Sequence, residues 1–193
     1  MSYEVIDMIY LSQGIVQKGS NEQLLQVLHC GQIYELTGND AAIWLNGRFS
    51  FETAEEPNEL IALEHLKNRG LVEAEQEHDA YAQYQIAARC IFCPADRKPH
   101  IPLATIDSFL LMWMRNAGLR LTVAELIYLY ENNIQPCTEL CYERNRQKLV
   151  ERIYTVDTIA DNILENQMAQ MPSRDKVVAS LMRLLRKKRV LVL

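Results

Sequence analysis

The chain has 193 residues, 49% hydrophobic and 23% charged, with only 7 Gly and 6 Pro. That composition excludes a disordered chain, a collagen-like fibre and a low-complexity linker, and it allows one large domain or two small ones. The formal net charge of −5 hides an asymmetry, because residues 1–100 carry 7 Lys+Arg against 15 Asp+Glu and residues 101–193 carry 13 against 10. An acidic half joined to a mildly basic half points to two modules with different tasks rather than to a chain that is basic throughout.

Residues 5–10 alternate, with Val5, Asp7 and Ile9 on one face and Ile6, Met8 and Tyr10 on the other, which reads as a strand. After turn chemistry at 17–21, residues 23–29 give a second strand, and Cys30-Gly31-Gln32 connects it tightly to a third at 33–36. The period then changes. Thr37 is placed to cap a helix carrying Ala41, Trp44 and Leu45, which Gly47 ends. Residues 48–57 read as an acidic loop. Leu60, Leu63 and Leu66 mark a second helix that stops at Gly70. A strand at 71–74, a turn at 75–79 and a returning strand at 81–86 follow.

Three prolines at 94, 99 and 102 among charged neighbours make 94–102 the expected linker. In the second half, Ile106, Phe109, Leu110, Trp113 and Met114 form an apolar helical stripe, and Thr122-Val123-Ala124-Glu125 has the spacing of a capping box. Pro136 opens an expected helix to about residue 154, and Thr155 or Asp157 caps another with Ile159 and Ile163 inward. Pro172-Ser173 starts the last helix, 173–188. Residues 190–193 read as a strand that needs a partner from elsewhere. A faint repeat matches Leu36-Thr37 and Ile43-Trp44-Leu45 to Leu121-Thr122 and Ile127-Tyr128-Leu129. The expected class is α+β and helix-rich, with two winged-helix-like modules in tandem: residues 1–93, a linker at 94–102, and 103–193.

The segments Ile33-Tyr34-Glu35-Leu36-Thr37, Ala41-Ala42-Ile43-Trp44 and Leu66-Lys67-Asn68-Arg69-Gly70-Leu71-Val72 carry a resemblance. In this order they resemble the PqqD-like family, small winged-helix domains of peptide-modification pathways, over about residues 3–75. The resemblance implies binding of a peptide by strand addition at the edge of the N-terminal strands and beside the adjacent helix. Residue by residue, it implies Ile6, Met8 and Tyr10 on the strand and Leu63 and Leu66 on the helix. In the second half, Pro172-Ser173-Arg174-Asp175-Lys176-Val177 resembles the opening of a recognition helix in winged-helix bacterial regulators, and Arg186-Lys187-Lys188-Arg189-Val190 its exit into a wing.

On the last helix, Val177, Val178, Leu181, Leu184 and Leu185 gather on one side. Lys176, Arg183 and Lys187 fall within roughly 40° of one another on the other side, with Ser180 among them. Such a row suits phosphates and base edges. The first functional reading is therefore a cytoplasmic DNA-binding transcriptional regulator, with Lys176 and Lys187 on phosphates, Arg174 and Arg183 at base edges, and Ser180 between. A homodimer is expected because one module reads few base pairs. The alternative is a non-catalytic peptide-recognition protein.

No Gly-rich phosphate loop, Gly-x-Ser-x-Gly or His-Glu-x-x-His occurs, so neither an enzyme nor a cofactor is expected. Cys90, Cys93, Cys137 and Cys141 could close a tetrahedral zinc site, but buried reduced thiols are the favoured reading. Trp44, Trp113 and Tyr130 are expected in the core. The longest unbroken apolar run, 109–114, is far short of the ~20 residues of a bilayer span, so no membrane partner is expected. Early acids and the lack of a basic start argue against a signal peptide.

Overall fold

A computed structural model describes residues 7–20, 24–95, 104–116, 121–134 and 163–193. The chain is mixed α and β, with seven helices and eight short strands among those residues. It divides into two compact units, Met1–Cys90 with Val192–Leu193, and Ile91–Leu191.

In the first unit, β1 (Met8–Ser12) runs antiparallel between β5 (Glu52–Ala54) and β6 (Val72–Glu75). A second antiparallel sheet has the order β2 (Ile15–Val16), β3 (Leu25–His29), β4 (Gln32–Leu36). Helix α1 (Gly38–Asn46) begins after Thr37, and α2 (Pro57–Asn68) begins with proline at its first position, where the absent N–H costs nothing. Glu59 then accepts the Glu56 N–H at 3.2 Å. Trp44, Leu63 and Leu66 are buried with Tyr10, Val27 and Leu36 in one core. Two polar bonds fix this core. The Trp44 indole donates to the Gln13 carbonyl at 2.8 Å, and the Tyr10 hydroxyl donates to the Ile43 carbonyl at 3.2 Å. The Tyr10 phenol is pushed up in pKa by burial first and then by the charges of Glu52 and Glu59, so it stays protonated.

Three expectations are corrected here. The returning strand at 81–86 is instead part of helix α3 (Ala80–Arg89), which Asp79 caps by accepting the Ala82 N–H at 2.7 Å. The alternation of Tyr81 with Gln83 is local; alanine and glutamine favour the helix, and Ala82, Ile86 and Ala87 line its buried side. The strand that pairs with β6 is β1, so the expected terminal hairpin is replaced by a pairing distant in sequence. The segment 48–57 is not all loop either, because β5 lies within it.

The second unit contains β7 (Phe92–Pro94), α4 (Thr105–Asn116), α5 (Val123–Glu131), α6 (Ile163–Ala169) and α7 (Arg174–Arg186). The capping box at α5 forms in both directions: Thr122 Oγ1 accepts the Glu125 N–H at 3.1 Å, and Glu125 accepts the Thr122 N–H at 2.8 Å. Ile163, expected to point inward, is half-buried on α6. β7 supplies the partner that the terminal strand β8 (Val190–Val192) requires, and the Ala95 N–H extends the pairing to the Arg189 carbonyl at 2.8 Å. The expected helices at 136–154 and from 155 or 157, together with most of the expected linker, lie outside the described residues. No helix among the described residues is long and apolar enough to cross a membrane.

Candidate functional site

The α7 row and the N-terminal strands are the two surfaces on which function was expected. On α7, Ser180, Arg183 and Lys187 stand three and seven positions apart on one side of the helix, and that side meets Asp107 of α4. Asp107 is wholly buried. Its Oδ1 accepts from Ser180 Oγ at 2.5 Å and from Arg183 Nη2 at 2.8 Å, while Oδ2 lies 3.8 Å from Lys187 Nζ. Burial opposes ionisation of this carboxyl. Hydrogen bonds from Arg183 and Ser180 and the charges of Arg183 and Lys187 outweigh it and hold the carboxyl below the usual carboxylate range.

Three of the five residues assigned to nucleic acid thus belong to an internal charge cluster. Ser180 is buried and has no outward role, and the guanidinium of Arg183 is turned onto a carboxylate. Arg174 is also held, through Nε to Asp175 and Nη1 to the Ala169 carbonyl, both at 2.7 Å. Lys176 stays exposed, with no ion pair among the described residues. Asp107 is the residue that reading the sequence missed. Its signal was present: an acid spaced three, four and seven positions from Leu110, Leu111 and Met114 sits on the buried side of its helix.

The residues expected to bind peptide are placed differently. Tyr10, Leu63 and Leu66 are core, Met8 is half-buried, and Ile6 lies outside the described residues. β1 cannot receive an added strand, since β5 and β6 flank it on both sides. β4 is an edge of the second sheet and, among the described residues, pairs only with β3.

The direction of the β4 backbone groups follows from its turn. Cys30 and Gly31 make a two-residue hairpin with φ of 48° and 81°, the pair of positive values that a type I′ turn requires. His29 and Gln32 close that turn as a hydrogen-bonded pair. Alternation then turns the N–H and C=O groups of Gln32, Tyr34 and Leu36 toward β3, and those of Ile33 and Glu35 toward the open edge. Side chains alternate as well. Val16, Val27 and Tyr34 face the core, whereas Ile15, Leu28 and Ile33 form a cross-strand apolar row on the outer face. Ile33, at the end of that row, is 59% exposed. Beside it, Glu35 accepts from the Gln26 amide at 3.1 Å.

Of the four cysteines weighed for zinc, Cys137 and Cys141 lie outside the described residues. Cys90 is buried, and that burial, followed by the Glu73 charge, pushes its thiol up in pKa, which disfavours the thiolate a metal needs. Cys93 is half-buried. Trp44 and Trp113 are buried, and Tyr130 is half-buried at a cavity of the second unit. No protein-family model, curated protein or solved structure matches the chain.

Proposed function

We propose that this chain is a non-catalytic recognition protein of two winged-helix-like modules, PqqD-like in its first, which takes up an extended peptide by strand addition at β4. The observation that carries the reading is the open β4 edge, with the Ile33 and Glu35 backbone groups aimed outward beside an exposed isoleucine. Native proteins usually cover, charge or twist away such edges, and an edge left open with an apolar row at its rim is a template for a fourth strand. The main chain supplies the affinity in this mode, and alternate side chains supply the selectivity. A residue beside Ile33 extends the apolar row. One beside Glu35 meets a carboxylate, in a half of the chain with 15 acids against 7 bases. The favoured peptide therefore carries an apolar and a basic residue two positions apart, on one face of the added strand.

The duplex-DNA reading takes second place, because Asp107 engages Arg183 and the exposed Lys187, and Lys176 and Arg186 are the exposed α7 cations outside that cluster. The two readings separate cleanly. A peptide with valine and lysine two positions apart should shift the Ile33 and Glu35 amide resonances, and its counterpart with glutamate for lysine should not. Ile33→Pro removes one outward N–H and leaves the β3 ladder intact, so it should abolish binding while the protein stays folded. Equal binding by the proline variant, or unmoved β4 amides, refutes the peptide reading. Steep salt-dependent retention on duplex DNA, lost in Arg183→Ala with Lys187→Ala, would restore the regulator.

A further inference from the structure

We infer that the second unit binds a small amphipathic monocarboxylate in the cavity between α4, α5 and the start of α7. The cavity measures about 420 Å³, a size typical of small-ligand sites. Phe109 and Trp113 of α4 and Leu129 and Tyr130 of α5 give it an apolar, largely aromatic wall. Such a wall takes an alkyl or aryl body.

The opposite side is polar and positive. α7 begins there, and the first-turn N–H groups of a 13-residue helix present partial positive charge. Ser173 at its N-cap lines the cavity, is 5% exposed, and makes no capping bond; its Oγ has no hydrogen-bond partner among the described residues. A buried hydroxyl without a partner is costly unless a ligand satisfies it. Lys176, one turn into the helix, lines the same space with its ammonium unpaired among the described residues. The neighbouring acid does not cancel it, since Asp175 is exposed and bound by Arg174 at 2.7 Å. Glu131 also lines the cavity and repels surplus negative charge. One ammonium, a helix N-terminus and an opposing carboxylate together select a single negative charge over a dianion such as a phosphate monoester.

Octanoate, with octanamide as its neutral match, tests the site in the full-length protein by calorimetry. Octanoate should bind at least about fivefold more tightly than octanamide, from the cationic contact and the helix terminus. Lys176→Met, at an exposed position, should cut that preference severalfold without weakening octanamide. Ser173→Ala should reduce octanoate binding and leave the preference for the anion partly in place. Equal affinity for the two probes, no heat with either, or a preference undiminished in Lys176→Met overturns the inference. The site uses no residue of β4, so Ile33→Pro should bind octanoate like the parent, and failure here leaves the peptide reading standing.

Discussion

Asp107→Asn and Asp107→Ala separate the charge of the buried carboxylate from its hydrogen bonding. Breaking a buried ion pair by removing one partner costs about 3–5 kcal/mol. Here the cations left behind are 38% and 35% exposed at Arg183 and Lys187 and can swing into water, which cuts that term to roughly 1–2 kcal/mol. Ser180 cannot escape. Its wholly buried hydroxyl loses its acceptor in the alanine variant, adding about 1–2 kcal/mol. Asparagine keeps an oxygen for Ser180, so it should cost about 1–2 kcal/mol where alanine costs about 2–4. Urea unfolding at neutral pH gives both values, and hydrogen exchange of the α4 and α7 amides should locate the loss in the second unit. The pH dependence has a fixed sign. A carboxyl held below its ordinary value in the folded state stabilises above the unfolded pKa of about 3.9. That contribution fades as the pH falls through the lower folded value, so the gap between parent and Asp107→Asn should close in acid. Equal stability of parent and Asp107→Asn at neutral pH, or a gap that persists unchanged into acid, refutes the assignment of Asp107 as the charged centre of the cluster.

Gly47→Ala should destabilise the first unit by about 1–3 kcal/mol by denaturant melt, because its new methyl would sit 2.5 Å from the Tyr10 ring and 2.7 Å from Ser12 Oγ. Trp44→Phe removes the buried donor to the Gln13 carbonyl, and a loss of about 1–3 kcal/mol in the same assay is expected. Brief alkylation of the native protein followed by peptide mapping should label exposed Cys30 and spare Cys90, whose thiol is both buried and disfavoured as thiolate. Replacing the cluster together, Asp107→Leu with Ser180→Ala and Arg183→Met, should recover much of the stability that Asp107→Ala loses, since apolar partners ask no desolvation and leave no buried hydroxyl unpaired.

What the sequence made legible was local. Helix starts at Thr37 and Thr122, the stop near Gly70, the β3–β4 turn at Cys30-Gly31 and the strands on either side follow from capping, glycine and alternation, all of which act over a few residues. What stayed hidden depends on partners distant in the chain. Residues 52–54 become a strand only because β1 accepts them, and β1 is an interior strand only because β5 and β6 arrive on both sides. The alternation at 5–10 carries no information about which strand ends at the sheet edge.

The same distinction explains why the α7 row reads as a surface in sequence. A helical wheel shows which residues share a face, and it places Ser180 among the cations correctly. It cannot show whether water or another helix lies opposite that face. Asp107, 73 residues before Ser180, decides the matter. A single buried carboxylate turns a row that would attract phosphates into one that fastens α7 to α4, because opposite charges at 2.8 Å largely cancel and leave little field for a distant anion. The one cation that row leaves unclaimed among the described residues, Lys176, lies a turn nearer the helix start, beside the cavity. The charge pattern first assigned to a nucleic acid therefore divides in two, a latch at 180–187 and a single anion-seeking group at 176.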